Sequence, residues 1–487
     1  MTTAETGGGA GSPGAGAGAS AAETIAGLAG SLRQSFETDN RLLSFDQFLA
    51  LVVENPGRFA RNSAQYLLDA VQYFGAEEVV TSTGKLKRHL LFDAPFEDGA
   101  DRVVGNETTQ AALVRALSHF VRERRINRLI LVHGPNGSAK SSLVSCLMRA
   151  LQAYSNTEEG ALYRFNWVFP STNLEGARIG FGGNGLTGTA SDSYAFLDDE
   201  FIDSKLPSEH NDNPLFLLPA TERLALLEAA LGASDFVLSD TIAKGDLGQR
   251  SRAVYDALLV SYRGGFDELL RHVQVERFFI SKRYRRGAVS VEPQLRVDAA
   301  VRQLTADRSL NALPRVLQTQ TLFEPHGPLV EGNRGIVEYN DILKRPMDSN
   351  KYLLSTSEKG TVSLETGEMH IDTVLIATAN EKYLEAFKHS PDWPSYKARF
   401  SLVRMPYLLD YNAEQQIYDG QLAELKLTKP TAPHTTFVAA LWAVLTRLVK
   451  PDCDEFDSSI QKIISEMSPL QKALIYADGT LPSGLTA

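Results

Sequence analysis

Cysteine is almost missing. Only Cys146 and Cys453 occur in 487 residues, which excludes a disulfide scaffold or a thiolate-rich metal centre and fits a reducing, cytoplasmic setting. Long apolar runs are also missing: the most apolar stretch, Phe437 to Val449, is 13 residues broken by Thr446 and Arg447, too short to span a bilayer. No Lys or Arg precedes Arg33, and the first thirty residues are rich in Gly, Ala and Ser without the apolar core of a secretory signal, so residues 1–30 read as a disordered tail. An excess of positive charge is absent as well. With 59 acidic against 49 basic residues the formal charge is −10, which disfavours indiscriminate binding to nucleic acid or anionic membranes.

What is present is a phosphate-binding turn. Arg128 to His133 forms a short apolar run, Ser142 to Leu151 has helical spacing, and between them stands GPNGSAKS, Gly134 to Ser141. A buried strand, a Gly-rich turn and a helix opening on Lys-Ser make the P-loop arrangement. Gly134, Pro135, Asn136, Gly137, Ser138 and Ala139 supply backbone N–H groups for phosphate oxygens. Lys140 reaches the terminal phosphates of a nucleotide, and the Ser141 hydroxyl, followed by Ser142, is placed for Mg²⁺. Ala139 stands where the consensus has glycine, a replacement that is tolerable only at negative φ.

The length suggests two or three domains. Residues 31–90 read as an N-terminal helical unit, with Ser44 as a helix cap and a break at Pro56-Gly57. Residues 91–410 read as an α/β core whose strands fall at 128–133, 161–169, 336–339, 373–377 and 401–405. An insertion at about 171–290 interrupts it, and 411–487 read as helix and loop, a lid. Strands alternating with helices imply a parallel sheet with ligands at the strand tips.

Hydrolysis needs carboxylates at those tips. In GIVEYNDI, Gly335 to Ile342, the usual Asp-Glu pair is replaced by Asn340-Asp341, with Glu338 two residues earlier. Strand alternation puts Glu338 and Asn340 on one face, so Glu338 is the candidate for Mg²⁺ support and Asp341 for activating water; surface acids opening a helix are the bland alternative. Asn380, ending the strand DTVLIATAN, is placed to orient water or touch the γ-phosphate, although asparagine is also an ordinary turn residue. Arg399 reads either as an arginine finger reaching a neighbouring subunit or as an exposed helix-terminal cation.

In order, these pieces resemble the AAA+ ATPases, and more narrowly the PrkA-type serine protein kinases, whose acidic motif has the form GIxEFxExxK. Here it reads GIVEYNDILK, joined by SFDQFLALVVENPGRFARNSAQYLLDAV, HVQVERFFISKRYRRGAVSVEPQ and VRMPYLL. The similarity covers roughly residues 31 to 420. It implies a P-loop AAA+ core, ATP and Mg²⁺ at Gly134 to Ser141, a protein substrate or partner, possible homo-oligomers through Arg399, and phosphorylation of protein Ser/Thr. Against the family pattern, the lid stops short of a second sensor arginine and of the kinase-associated C-terminal region, which implies a truncated or short form.

Other patterns are decoys. Gly180 to Gly185 matches GxGxxG but opens no helix, and Asp246-Leu247-Gly248 resembles a DFG triplet without its companions. Arg277 to Arg286 mixes cations with aromatics, as a nucleic-acid contact or a half-solvated strand would. His119, His133 and His272 show no ligand spacing. Three functions stay open: a Mg²⁺-dependent ATPase of the kinase group, a ring-forming motor without kinase chemistry, and a nucleotide-gated scaffold that does not hydrolyse ATP.

Overall fold

The computed structural model describes residues 42–81, 84–99, 101–171, 193–293, 300–303, 323–345, 351–365, 367–425, 431–451 and 456–482. Both the Gly/Ala-rich stretch 1–30 and the glycines 180–185 lie outside them. The centre is a five-stranded sheet of β1 (Leu129–Gly134), β2 (Ala288–Val291), β3 (Gly335–Tyr339), β4 (Thr373–Asn380) and β5 (Phe400–Arg404), in the order β5-β1-β4-β3-β2. Every pairing is parallel.

The three central strands β1, β4 and β3 are buried nearly throughout because helices cover both faces. On one face Ile130, Val132, Ile336, Val374 and Ile376 pack with Leu143, Leu147 and Leu151. Those leucines belong to the helix that follows the phosphate loop. On the other, Leu131, Val337, Tyr339 and Leu375 meet Leu353, Leu384, Phe387 and Tyr396. The alternation of pleated strands thus divides one sheet between two cores.

Residues 161–169, expected as the next strand of this sheet, do not belong to it. Leu162–Pro170 lies in a second, antiparallel sheet with Leu42–Ser44, Val273–Phe278 and Ile202–Pro207. The place beside β3 belongs to Ala288–Val291, whose four residues follow the basic segment. Around the antiparallel sheet a separate core gathers Phe48, Phe59, Phe165, Trp167, Leu227, Val254 and Val275.

The N-terminal stretch therefore divides between two cores. Phe45–Glu54 buries Phe48 and Val52 against the antiparallel sheet, whereas α1 (Ser63–Phe74) packs Tyr66, Leu67 and Val71 onto the parallel one. Helix α2 (Glu107–Arg122) leads into β1, and α3 (Lys140–Ser155) leaves the loop. After β4 comes α4 (Glu381–Lys388).

The lid comprises α5 (Tyr411–Glu424), α6 (Thr435–Arg447), α7 (Ser458–Glu466) and α8 (Pro469–Asp478). Arg447 clamps it: the guanidinium makes two 2.8 Å bonds to Glu414, a third of 3.1 Å to the Leu408 carbonyl, and stacks over Tyr407. Among the described residues, no helix is long and apolar enough to cross a membrane.

The basic segment is divided: its first half is built into the fold, while Arg283, Tyr284, Arg285 and Arg286 are exposed. Arg277 is buried, bonded to Glu158 and the carbonyls of Ser155 and Thr157, and Phe278 is in the core. Lys282 bonds the Ser145 hydroxyl on α3. This is structural cement, with only Tyr284 of the three aromatics strongly exposed.

Candidate nucleotide site

The phosphate loop joins the tip of β1 to the first turn of α3. Gly134 has to be glycine: a Cβ there would lie 2.0 Å from the Met405 carbonyl oxygen. Gly137 takes φ +78° with open space beside it, as a loop that wraps an anion requires. Ser138 donates to the Pro135 carbonyl at 2.9 Å and stiffens the turn.

Ala139 contradicts the sequence expectation, because its φ is +63°. Closing the loop onto the helix start demands a left-handed residue at this point, and alanine accepts it at a cost of about 1 kcal/mol. Ala139→Gly is expected to raise stability by roughly 0.5–1 kcal/mol in a urea titration; a lower midpoint would contradict this strain.

Lys140 is nearly buried, and its ammonium donates to the carbonyls of Pro135 at 2.7 Å and Gly134 at 3.2 Å. Burial pushes its pKa down, while Asp341 and Glu381 oppose that shift. The two carboxylates that the lysine feels thus come from the tips of β3 and β4. Ser141 is exposed in the first helical turn and Ser142 half-buried.

Asn380 is level with Gly134 in the β4/β1 register. Its side-chain amide donates to Asn136 Oδ1 at 2.7 Å, and its own Oδ1 caps α4 by accepting from the Lys382 N–H. Asp341 also reaches this end. Its N–H donates to Thr378 Oγ1 at 3.0 Å, its carboxylate holds Lys344 at 2.6 Å, and its backbone is left-handed at φ +45°.

Glu338 does not arrive here. In register it is level with Ile376 and Ile130, four residues short of Gly134, or about 13 Å along the strand. Its carboxylate accepts from Ser290 at 2.6 Å, and that same hydroxyl lies 3.7 Å from Met148 Sδ, midway along α3. Alternation set the face correctly, but not the height, so the metal role expected for Glu338 is withdrawn.

The acceptor at the right height on that face is Asn340. Its Nδ2 donates to Glu292 at 2.9 Å, and its buried Oδ1 has no partner.

Burial raises the pKa of Glu338, Glu292 adds to the shift, and Ser290 and Lys282 oppose it. The neutral form is therefore favoured by folding. Its contribution is complete below the ordinary carboxylate range and is lost as pH rises through the raised folded pKa. Glu338→Gln should accordingly gain stability over the wild type as pH climbs from mildly acidic to neutral. ATP turnover should stay within about twofold, since the group makes no contact specific to a transition state; paired melting curves and rate assays check both.

Arg399 lies at the opposite end of the strands, just before β5. Its carbonyl accepts from Leu129 N–H at the start of β1, and its guanidinium holds Glu358 at 2.7 and 2.9 Å. The fold does not bring it to its own chain's loop. One pair escaped sequence reasoning: His133 Nδ1 lies 2.8 Å from Glu381 Oε2, joining the tips of β1 and β4.

The PrkA AAA domain family matches residues 210–455, just over half of the chain. The chain belongs to the PrkA AAA family. It is 24% identical over 422 residues to the ATP-dependent protease PrkA of Bacillus subtilis, covering 85% of this chain and 56% of that protein. It is 27% identical over 129 residues to the serine/threonine kinase YeaG of Escherichia coli K12, covering 26% of this chain and 20% of that one. The chain thus spans about half the length, or less, of these curated PrkA relatives. A crystal structure of NtrX from Brucella abortus aligns with a TM-score of 0.23 and 14% identity over 41% of this chain and 42% of that one.

The family match begins downstream of the phosphate loop, but an alignment of 422 residues has to span the loop. An AAA domain binds ATP.

Proposed function

We propose that the chain is a Mg²⁺-dependent ATPase whose site comprises the phosphate loop and the tips of β3 and β4. One observation carries this reading: Asp341, Asn380 and Lys140 converge at one end of the sheet, each on a different element. The residues suit the metal, because Mg²⁺ prefers oxygen donors and the tip of β3 offers the partnerless Asn340 Oδ1 beside the Asp341 carboxylate. Ser141 and Asn340 would hold Mg²⁺, which when bound draws charge from the phosphate oxygens.

Lys140 exchanges its loop carbonyls for the terminal phosphates. Asp341 takes a proton from water, whose oxygen bonds to the γ-phosphorus as the bond to the β–γ bridging oxygen breaks and ADP leaves. Asn380 orients that water while tied to Asn136 of the loop. Arg399 acts in a neighbouring copy, where it would stabilise charge in the transition state.

Phosphorylation of protein Ser/Thr is the second reading, supported by the kinase name of one relative; the other is named a protease, and both are longer proteins. Incubation with γ-labelled ATP separates the readings. Free labelled phosphate is expected, label on protein hydroxyls would add the kinase activity, and no label released or transferred would overturn both.

A further inference from the structure

We infer that Glu209, His210 and Asp212 form a binding site for a divalent transition-metal ion of the zinc class, distinct from the nucleotide site. These residues follow strand Ile202–Pro207, and their donor atoms all lie within 4.8 Å of one another. Two ligands on one ion at about 2.0–2.2 Å each are separated by roughly 3–4.4 Å, so a small contraction closes the set.

The donors are deeply placed and underused. His210 is 5% and Asp212 2% exposed. Glu209 Oε2, His210 Nδ1 and Asp212 Oδ2 are all buried without a hydrogen-bond partner. His210 Nε2 lies 3.3 Å from Asp212 Oδ1, the one link within the triad. Buried polar atoms are ordinarily satisfied, and three orphans in four consecutive residues call for a cation.

Nearby arginines do not supply it. Arg250 gives its backbone N–H to the other Glu209 oxygen, while its guanidinium bonds the Pro207 carbonyl at 2.6 Å and pairs with Glu324. Arg334 feels Asp212, but Asp372 more strongly. Space is kept open by Gly248, where a Cβ would fall 1.8 Å from Glu209 Oε2 and 2.6 Å from His210 Cε1. A cavity of about 50 Å³ adjoins Glu209 and His210, lined also by Asp246, Glu368 and His370. It has room for the water or further side chain that completes a coordination sphere.

Chemistry sets the class of ion. Mg²⁺ and Ca²⁺ favour all-oxygen sites, whereas one imidazole with two carboxylates suits Zn²⁺, and Mn²⁺ or Fe²⁺ after it. The loop is also fastened to the root of β3, since the His210 carbonyl accepts from Asn333 Nδ2 at 2.7 Å.

The test uses the full chain, nucleotide-free and stripped with a chelator, titrated calorimetrically with Zn²⁺, with melting temperature as a second readout. One Zn²⁺ per chain and a higher melting temperature are expected. His210→Ala should weaken binding by more than the roughly 10–100-fold that losing an outer-sphere partner costs. Because His210→Ala can also impair folding, Glu209→Gln is the second variant. It keeps an acceptor for the Arg250 N–H, so affinity should fall while the metal-free melting temperature holds. Lys140→Ala should bind Zn²⁺ like the wild type. Absent stoichiometric binding, binding unchanged in both triad variants, or binding lost in Lys140→Ala would each overturn the assignment.

Discussion

Lys140→Ala is expected to lower ATP turnover by about 10²–10³-fold, the loss seen when one preorganised charge-stabilising donor is removed, and to weaken nucleotide binding with it. The ammonium is already held at the mouth of the loop by the carbonyls of Gly134 and Pro135, so only a short swing delivers it to phosphate. Burial weakens its hold on the proton, and Asp341 and Glu381 offset that only in part. Lys140→Met, which keeps length without charge, should fail similarly. Steady-state phosphate release and titration with a fluorescent ATP analogue are the measurements; turnover near the wild-type rate in both variants would remove the loop from the chemistry.

The second large effect is a separation of binding from turnover. Asp341→Asn should reduce the rate constant at saturating ATP by about 10²–10⁴-fold, the usual contribution of a general base, while nucleotide affinity changes little. The backbone of Asp341 is fixed by Thr378, so the isosteric change leaves the strand tip in place. A rate that survives in Asp341→Asn would reassign the base, with Glu292, which accepts from Asn340 Nδ2, next in line.

Much of the sheet is legible because a strand buried on both faces writes itself as an unbroken apolar run. LILVH, GIV and TVLIATA are of this kind; the edge strand FSLVR, with Leu402 and Arg404 exposed, shows the mark only in part. The fifth, AVSV, is four residues long and carries a serine, so its sequence makes no such mark; only its pairing with β3 defines it. Leu162–Pro170 shows the converse: its apolar content announces a strand, but partnership is decided by residues more than a hundred positions away in Val273–Phe278.

Site residues divide similarly. The positions of Lys140, Ser141 and Asn380 at one end of the sheet are legible because a motif or a strand end locates them. Glu338 is misread because period-two alternation reports a face without a height. The His133–Glu381 contact is invisible in sequence, being made by residues 248 positions apart. Ala139 carries a backbone sign that loop closure imposes against its own preference. The Glu-His-Asn-Asp run at 209–212 has a readable composition, but its unsatisfied atoms appear only once burial is known.

One contact joins the phosphate loop to the lid. The chain leaving β5 donates the Met405 N–H to the His133 carbonyl at 2.7 Å and presses its own carbonyl against the bare Cα of Gly134; within a few residues it becomes the segment gripped by Arg447. The C-terminal helices are thereby connected to the Gly134 turn through main-chain contacts within three residues of Leu408. A body that pulls on those helices would tune the grip on nucleotide as a tether tunes a latch.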